Sequence, residues 1–304
     1  MKIDRLYSAD IYEKIMNAQA ERKNDIFRYE LMQPFESKWA CYHIPMKAKV
    51  QGGYDVIRAS EMLGYLPPLK IDDSWNEKIQ LIKDPSFWDK CQESIKNSLF
   101  KFTSKGINLP VENYLYSVIL ANPDSIYTKL SDGYSGDGGI PGYIFAIILP
   151  NKFTLNRLPA ALAHECNHNV RFQFIKWRND ITLAEMMITE GLAENFAVSL
   201  YGIENLGPWV SKVTMDELNN YIKPIIKGGL DVQGFDNLTA YLYGDEIAKQ
   251  KGYFPVGLPF CAGYACGYYM VKYYLEKTEE DIVDATIRPF EEILEKIGEF
   301  WNEC

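Results

Sequence analysis

Histidine is scarce in this sequence, with three residues in a chain of 304. Long apolar runs are missing as well, since no stretch approaches the roughly 18 uninterrupted apolar residues of a membrane-spanning helix. The N-terminus, Met1 to Arg5, is not followed by the apolar segment of a signal peptide. We therefore predict a soluble, cytoplasmic protein with neither a signal peptide nor a membrane span.

Basic runs and paired cysteines are also lacking. The net charge is -9 and the pI is about 5.0, so the chain has no segment suited to follow a phosphate backbone. This excludes nucleic acid as an expected partner, and the acidity is typical of a well-solvated surface. The six cysteines form no Cys-x-x-Cys pair, which favours free thiols in a cytosolic protein. They are Cys41, Cys91, Cys166, Cys261, Cys266 and Cys304.

The sequence pattern of the first third of the chain is typical of a layer of helices. Hydrophobic residues make up 47% of the chain, enough for one large domain or two intimate lobes. Residues 5 to about 32 have a helical pattern, and Asp84-Pro85 is typical of a helix start. We predict an N-terminal helical region over residues 1–110 and a second region over 111–304, the two forming one compact unit.

Strand-forming residues appear from about Asn113 onward. Tyr114–Ala121 and Gly142–Leu149 are each predicted to be strands of a small sheet. Between them lies a glycine-rich run, residues 131–139, that lacks the Gly-Lys-Ser/Thr ending of a phosphate loop. We predict a mobile surface loop there. The second strand is either an ordinary core strand or a strand whose edge pairs with an extended peptide.

Two of the three histidines lie four residues apart, in His164-Glu165-Cys166-Asn167-His168. On a helix, positions i and i+4 lie on one face, so both imidazoles can converge on one zinc ion. Glu165 can then reach a water activated by the metal and act as a general base. The third histidine, His43, stands alone and is more typical of a structural role.

The segment around the motif has helical periodicity. Leu162, Cys166, Val170 and Phe174 form an apolar stripe at i, i+4 spacing, and the histidines lie roughly opposite to it. Cys166 is therefore predicted to pack in the core. Thr182-Leu183-Ala184-Glu185 then has the pattern of a capping box and predicts a second helix that ends at Gly202.

A catalytic zinc needs a third protein ligand. A third histidine six residues after the second is excluded, because Phe174 occupies that place, and Asp180 lies in a polar turn. Glu190 is the better candidate, since it lies on an otherwise apolar face of the second helix, where a carboxylate needs a cation. Glu194, one turn further, would orient a ligand histidine. The alternative is that both glutamates pair with arginine or lysine.

These residues together resemble a known family. The two histidines with Glu190-Gly191-Leu192-Ala193-Glu194 resemble the gluzincin class of zinc metallopeptidases. Residues 162–171 and the upstream glycine run are similar to the DUF2268 (YjaZ-like) family of zinc-dependent proteases. The resemblance covers roughly residues 110 to 300. It implies one zinc per chain on His164, His168 and Glu190, with Glu165 as the base.

The C-terminal third offers candidates for a further role. Residues 231–257 are predicted to be loop-rich, and Pro259–Glu276 a buried helix that carries Tyr264 and Tyr268 on one face. Related gluzincins place a tyrosine near the zinc, which makes either residue a candidate donor to the oxyanion or, equally, a core tyrosine. A last short helix is predicted from Pro289 to Cys304.

We expect a mostly helical α+β protein. Its centre would be a gluzincin-like core with a small antiparallel or mixed sheet packed on the motif helix, beside the N-terminal helical layer. The function expected is hydrolysis of peptide bonds in a peptide or protein substrate. The alternative from another class is a non-catalytic, zinc-containing regulator or chaperone-like binding protein, although such a protein has no need of Glu165.

Overall fold

Helices dominate the structure, and four short strands form a single sheet. The computed structural model describes residues 1–50 and 52–302. It contains two compact units, one of Met1–Asn97 with Pro110–Glu165 and the other of Ser98–Leu109 with Cys166–Cys304. The boundary between the units thus passes through two continuous helices. The sequence-based division near residue 110 stays a prediction.

The strands and helices are numbered in chain order. The strands are β1 Lys2–Leu6, β2 Asn113–Leu120, β3 Tyr134–Asp137 and β4 Tyr143–Ile148. The helices up to the motif are α1 Ser8–Asn17, α2 Ala20–Ile26, α3 Glu36–Cys41, α4 Val56–Met62, α5 Asn76–Leu81, α6 Pro85–Ser104, α7 Ile126–Leu130 and α8 Lys152–Phe174. The later helices are α9 Leu183–Tyr201, α10 Pro208–Ser211, α11 Met215–Glu217, α12 Lys223–Lys227, α13 Phe235–Tyr243, α14 Asp245–Gln250, α15 Ala262–Thr278, α16 Ile282–Thr286 and α17 Phe290–Leu294.

The sheet is mixed and lies in the first unit. Its strand order is β1-β2-β4-β3, with β1 and β4 parallel to β2 and with β3 antiparallel to β4. Parallel neighbours need a crossover, and α1 to α6 lie in the chain between β1 and β2. The small mixed sheet expected from the sequence is therefore confirmed. The gluzincin character of the core stays a prediction.

The inner strands β2 and β4 are the two that the sequence predicted. Both are apolar along nearly their whole length, as befits strands buried on both faces. Aromatic rings cover Phe145 at the centre of β4: the ring centroid of Phe35 lies at 4.4 Å, that of Tyr65 at 6.1 Å and that of Trp39 at 6.3 Å. This aromatic layer surrounds Phe145, the residue of β4 that pairs with Asp137 of β3.

The outer strands were not predicted. The sequence placed a helix from residue 5, but β1 occupies Lys2–Leu6 and the first helix begins at Ser8. The glycine-rich run was predicted to be a mobile surface loop, and this is wrong, because its middle forms β3 along β4. Both strands are short and polar, so that pairing within the sheet, and not local propensity, defines them.

The regular elements in the described part of the second unit are helices, joined by loops and one isolated β-bridge. Its α9 begins after the capping residue Thr182 and ends at Gly202, as predicted. The predicted buried helix is α15. The prediction of a loop-rich stretch over 231–257 is wrong, since α13 and α14 lie within it. The last predicted helix is α17 followed by a 3-10 turn, Gly298–Asn302.

The cysteines that the structure describes form no disulfide. Five cysteines are free thiols, and Cys304 lies outside the described residues. Cys166 is buried, in agreement with its predicted packing role. Among the helices of the described residues, none combines the length and the apolar character that crossing a bilayer requires.

Candidate metal centre

Helix α8 carries the two histidines one turn apart. Its apolar residues Leu162, Cys166 and Val170 are fully buried, as predicted for the core stripe, but Phe174, the last residue of that stripe, is 39% exposed and lies outside the core. The opposite face is buried as well: His164 and His168 are 4% and 7% exposed. Buried imidazoles on one helix face are already oriented, so little side-chain freedom is lost when they bind an ion.

Glu190 of α9 joins the two histidines. Its Oε2 atom lies 3.2 Å from Nε2 of His168, and the ligand atoms of His164, His168 and Glu190 all lie within 4.8 Å of one another. Among residues 1–50 and 52–302, this is the one trio of histidine, cysteine, aspartate or glutamate side chains arranged to hold a metal. The structure thus brings together the three side chains that the sequence singled out.

The chemistry of this trio fits zinc. Two imidazoles and one carboxylate are a donor set of catalytic zinc sites, and tetrahedral bonds of about 2.0–2.2 Å place the donor atoms roughly 3.5 Å apart. Glu190 is 8% exposed, and a carboxylate held away from water is stabilised by a nearby cation. The other candidate weighed in the sequence, Asp180, is exposed and lies 3.7 Å from the Arg178 guanidinium.

Glycines hold α9 close to α15. A Cβ atom at Gly191 would overlap the carbonyl of Gly267, and one at Gly267 would overlap the carbonyl of Met187. The Asn195 side chain donates to the carbonyl of Gly191 at 2.8 Å and to that of Tyr268 at 2.9 Å. The helix that presents Glu190 is therefore fixed by direct backbone contact.

Glu194 has partners of its own. One carboxylate oxygen accepts from the amide of Gly207 at 2.6 Å and the other from Nε1 of Trp209 at 2.8 Å. These bonds fix the start of α10 and help to compensate for the burial of the Glu194 carboxylate. The orientation of a ligand histidine by Glu194 stays a prediction.

Arg171 is a buried residue whose role the sequence did not indicate. Its guanidinium donates to the carbonyls of Thr286 and Arg288 at 2.8 and 3.0 Å, and to the hydroxyl of Thr189 at 3.3 Å. Burial lowers the pKa of Arg171 to about 10, so the group stays charged at neutral pH. Arg171 follows His168 by three residues and Thr189 precedes Glu190, so their bond joins α8 to α9 close to the candidate ligands.

The carboxylate of Glu165 is held by the end of β3. The Gly138 amide donates to Oε2 of Glu165 at 2.7 Å. A Cβ atom at Gly136 would overlap the Glu165 side chain, and one at Gly138 would overlap its backbone carbonyl. The glycines of the run thus allow the strand to approach the helix. The high glycine content of residues 131–139 is the feature of the sequence that could have indicated this close approach. On the sequence alone, it is interpreted as mobility instead.

The two candidate tyrosines lie on α15 and are buried. The Tyr264 ring packs against that of Tyr243 at 5.5 Å, and the Tyr268 ring against that of Tyr269 at 5.1 Å. Burial, with a smaller contribution from the charge of Glu194, raises the pKa of Tyr268 to about 12. Its hydroxyl therefore keeps its proton near neutral pH. A role for either residue at the oxyanion stays a prediction.

Comparison with known proteins places this geometry in context. Residues 87–295 match the family described as "Predicted Zn-dependent protease (DUF2268)". The chain is 36% identical to the uncharacterized protein YjfC of Bacillus subtilis (strain 168), over 95% of this chain and 96% of that protein. It is 28% identical to the uncharacterized protein YjaZ of the same organism, over 49% of this chain and 54% of that one. No solved structure gives a significant match.

Proposed function

Because the chain belongs to the DUF2268 family of predicted Zn-dependent proteases, we propose that it is a zinc metallopeptidase of the gluzincin type. The observation that carries this proposal is the convergence of His164, His168 and Glu190 beside Glu165. The substrate would be a peptide or a protein. A structural zinc site would not need a carboxylate adjacent to its ligands, which favours catalysis over the role of a zinc-containing regulator or chaperone-like protein.

His164, His168 and Glu190 would hold one zinc ion. When bound, zinc polarises the carbonyl of the scissile amide and makes water more acidic. The buried surroundings of the three ligands strengthen such electrostatic effects, since little solvent is present to screen them.

Glu165 would act as the general base and then as the acid. Its carboxylate accepts a proton from the attacking water as the new C–O bond forms, and it passes that proton to the leaving nitrogen as the C–N bond breaks. The Gly138 amide, bonded to Oε2, would keep the carboxylate in one orientation for the proton transfer. Tyr264 or Tyr268 would donate a hydrogen bond to the oxyanion.

The outer edge of β3 would align the substrate. The sequence offered the edge of β4 for this purpose, but both edges of β4 are occupied, by β2 and β3. β3 ends the sheet and carries Gly136 and Asp137 directly before the amide that holds Glu165. An extended peptide added to β3 would pass the base with its backbone already hydrogen-bonded.

The test combines metal analysis with a peptide library. In protein purified without added metal, we expect one zinc per chain in the wild type and in Glu165→Gln, and its loss in His164→Ala. Removal of a general base should lower kcat about 100- to 10,000-fold. Glu165→Gln should therefore retain zinc and lose cleavage.

Other outcomes would redirect the proposal. Zinc in the wild type without cleavage of any library peptide would favour the zinc-containing regulator. Retained cleavage by Glu165→Gln would refute the assignment of the base. A wild type that neither contains nor takes up zinc would refute the metal centre itself.

A further inference from the structure

A lysine is completely buried in the first unit. Lys38 of α3 has no solvent exposure, and its Nζ atom lies 2.7 Å from Oδ2 of Asp137. Asp137 is the last residue of β3, and its side chain is 20% exposed. Burying an ammonium group is costly unless a partner compensates for the lost hydration, so the ion pair is obligatory for this arrangement.

The Lys38 ammonium sits within the aromatic layer. It lies 5.2 Å from the ring centroid of Tyr42 and 5.4 Å from that of Phe145, both within range of cation–π attraction. Asp137 pairs with Phe145 in the register of β3 and β4. The backbone pairing and the ion pair therefore fix Asp137 from two directions.

The next residue after Asp137 holds Glu165. One peptide unit joins Asp137 to Gly138, and the N–H of that unit donates to Glu165. Tyr65 is affected by both carboxylates. The pKa of its hydroxyl is raised chiefly by burial, and in addition by the charges of Asp137 and Glu165. Both carboxylates thus act on one buried group, in surroundings where charges interact strongly.

We propose that Lys38 and Asp137 are positioning residues that hold the Gly138 amide against the carboxylate of Glu165. β3 is an outer strand with β4 as its one neighbour in the sheet, so the pairing leaves its end less restrained than an inner strand. The ion pair supplies the missing restraint. This inference rests on the proposed function for its catalytic consequence, but its structural part does not depend on zinc.

The first experiment measures hydrogen exchange at the Gly138 amide in the protein as purified. A hydrogen bond to a charged group contributes about 1.5–3 kcal/mol, so its loss should speed exchange roughly 10- to 100-fold. We expect this increase in Lys38→Met and in Asp137→Asn. Glu165→Ala, which removes the acceptor, serves as the positive control.

A matched control comes from the other buried ion pair of the same unit. Arg28 and Asp55 lie 3.0 Å apart, with side chains 8% and 9% exposed, and Asp55 caps α4. Asp55→Asn should reduce stability without changing exchange at Gly138. Unchanged exchange at Gly138 in both Lys38→Met and Asp137→Asn would overturn the inference.

The second experiment measures kinetics on a peptide that the wild type cleaves. Lys38→Met and Asp137→Asn should lower kcat about 10- to 100-fold, matching the lost hydrogen bond, with KM and zinc content unchanged. Asp137→Glu keeps a carboxylate at a partly exposed position and should retain most of the activity. A lowered unfolding midpoint with an unchanged kcat per folded molecule would show a merely structural role.

The two experiments separate the two proposals. If the wild type cleaves no peptide, the proposed function fails, while exchange at Gly138 still decides the positioning role. If the wild type cleaves and neither exchange nor kcat responds to the variants, the inference fails and the proposed function stands.

Discussion

Two regions beside the candidate centre depend on glycines that allow a close approach of two segments. They differ in the interactions that restrain the segments. The Glu165 side consists of β3, Gly138 and Lys38, and a polar network restrains it. The Glu190 side consists of α9 and α15, and helix packing restrains it. On the Glu165 side, both glycines belong to the strand segment and face the side chain and the carbonyl of Glu165. On the Glu190 side, each of the two helices contributes one glycine to the contact.

This difference matches the tasks proposed for the two residues. A metal ligand has to stay in place, and packed helices provide that rigidity because their backbones cannot shift independently. A base has to exchange protons while keeping its orientation, and the amide bond from Gly138 to Oε2 helps to keep that orientation. Variants that disturb each side should therefore affect different properties.

The largest expected effect is on stability, in Gly267→Ala. The new Cβ would overlap the backbone of Met187, which cannot move like a side chain. We expect a loss of about 2–3 kcal/mol in the free energy of unfolding, measured by urea titration. Gly228→Ala, where a Cβ would meet its nearest atom at 3.6 Å, should be nearly neutral. Equal stability of the two variants would contradict close packing of α9 on α15.

A smaller loss of stability, with a selective loss of turnover, is expected in Gly136→Ala. Here the new Cβ would overlap the Glu165 side chain, which can move aside at a cost of about 1 kcal/mol. The displaced carboxylate should lower kcat about 10-fold or more while zinc content stays the same. The control is Gly139→Ala, where a Cβ would meet only the Tyr42 hydroxyl, at 3.9 Å. Unchanged turnover in Gly136→Ala would refute the placement of Glu165.

At neutral pH the smallest effect is expected from one buried thiol of each unit, because these thiols change the free energy of unfolding only under alkaline conditions. Burial raises the pKa of Cys91 and that of Cys266 to about 12. Below about pH 8 both thiols are mostly protonated in the folded and the unfolded chain, so their contribution is nearly constant. Between about pH 9 and 12 only the unfolded chain ionises, and stability should fall by about 1.4 kcal/mol per pH unit for each thiol.

The pH dependence can be assigned by removing one thiol at a time. Urea midpoints of Cys91→Ala and Cys266→Ala between pH 9 and 11 should each show a shallower decline than the wild type. Cys41 is exposed, and Cys41→Ala serves as the control for the removal of a thiol at the surface. An unaltered slope in both buried variants would show that these thiols do not control alkaline stability.

The sequence was informative where local patterns determine structure. The histidine spacing, the apolar stripe of α8 and the capping residue Thr182 identified both ligand-bearing helices with nearly correct ends. Glu190 was found because a carboxylate on an apolar face needs a partner. Each of these signals is contained within a few turns of a single helix, either α8 or α9. They can therefore be recognised without knowledge of the tertiary fold.

The remaining features depend on contacts between distant segments. β1 pairs Ile3 with Tyr114, and the Lys38–Asp137 pair joins residues 99 positions apart. The glycines of residues 131–139 looked like a flexible loop because glycine serves both mobility and close approach. Only the position of Glu165 opposite Gly136 and Gly138 distinguishes the two uses.

The separation between Lys38 and Asp137 has a consequence for the synthesis of the chain. At roughly 5–20 residues per second, a ribosome needs about 5–20 s to make the residues between them. Until Asp137 is made the ammonium group has no native partner, and until β2 is made β1 has none, so both remain unpaired on the growing chain. A fragment that begins at residue 87, where the family match starts, would contain all three candidate zinc ligands but neither β1 nor Lys38.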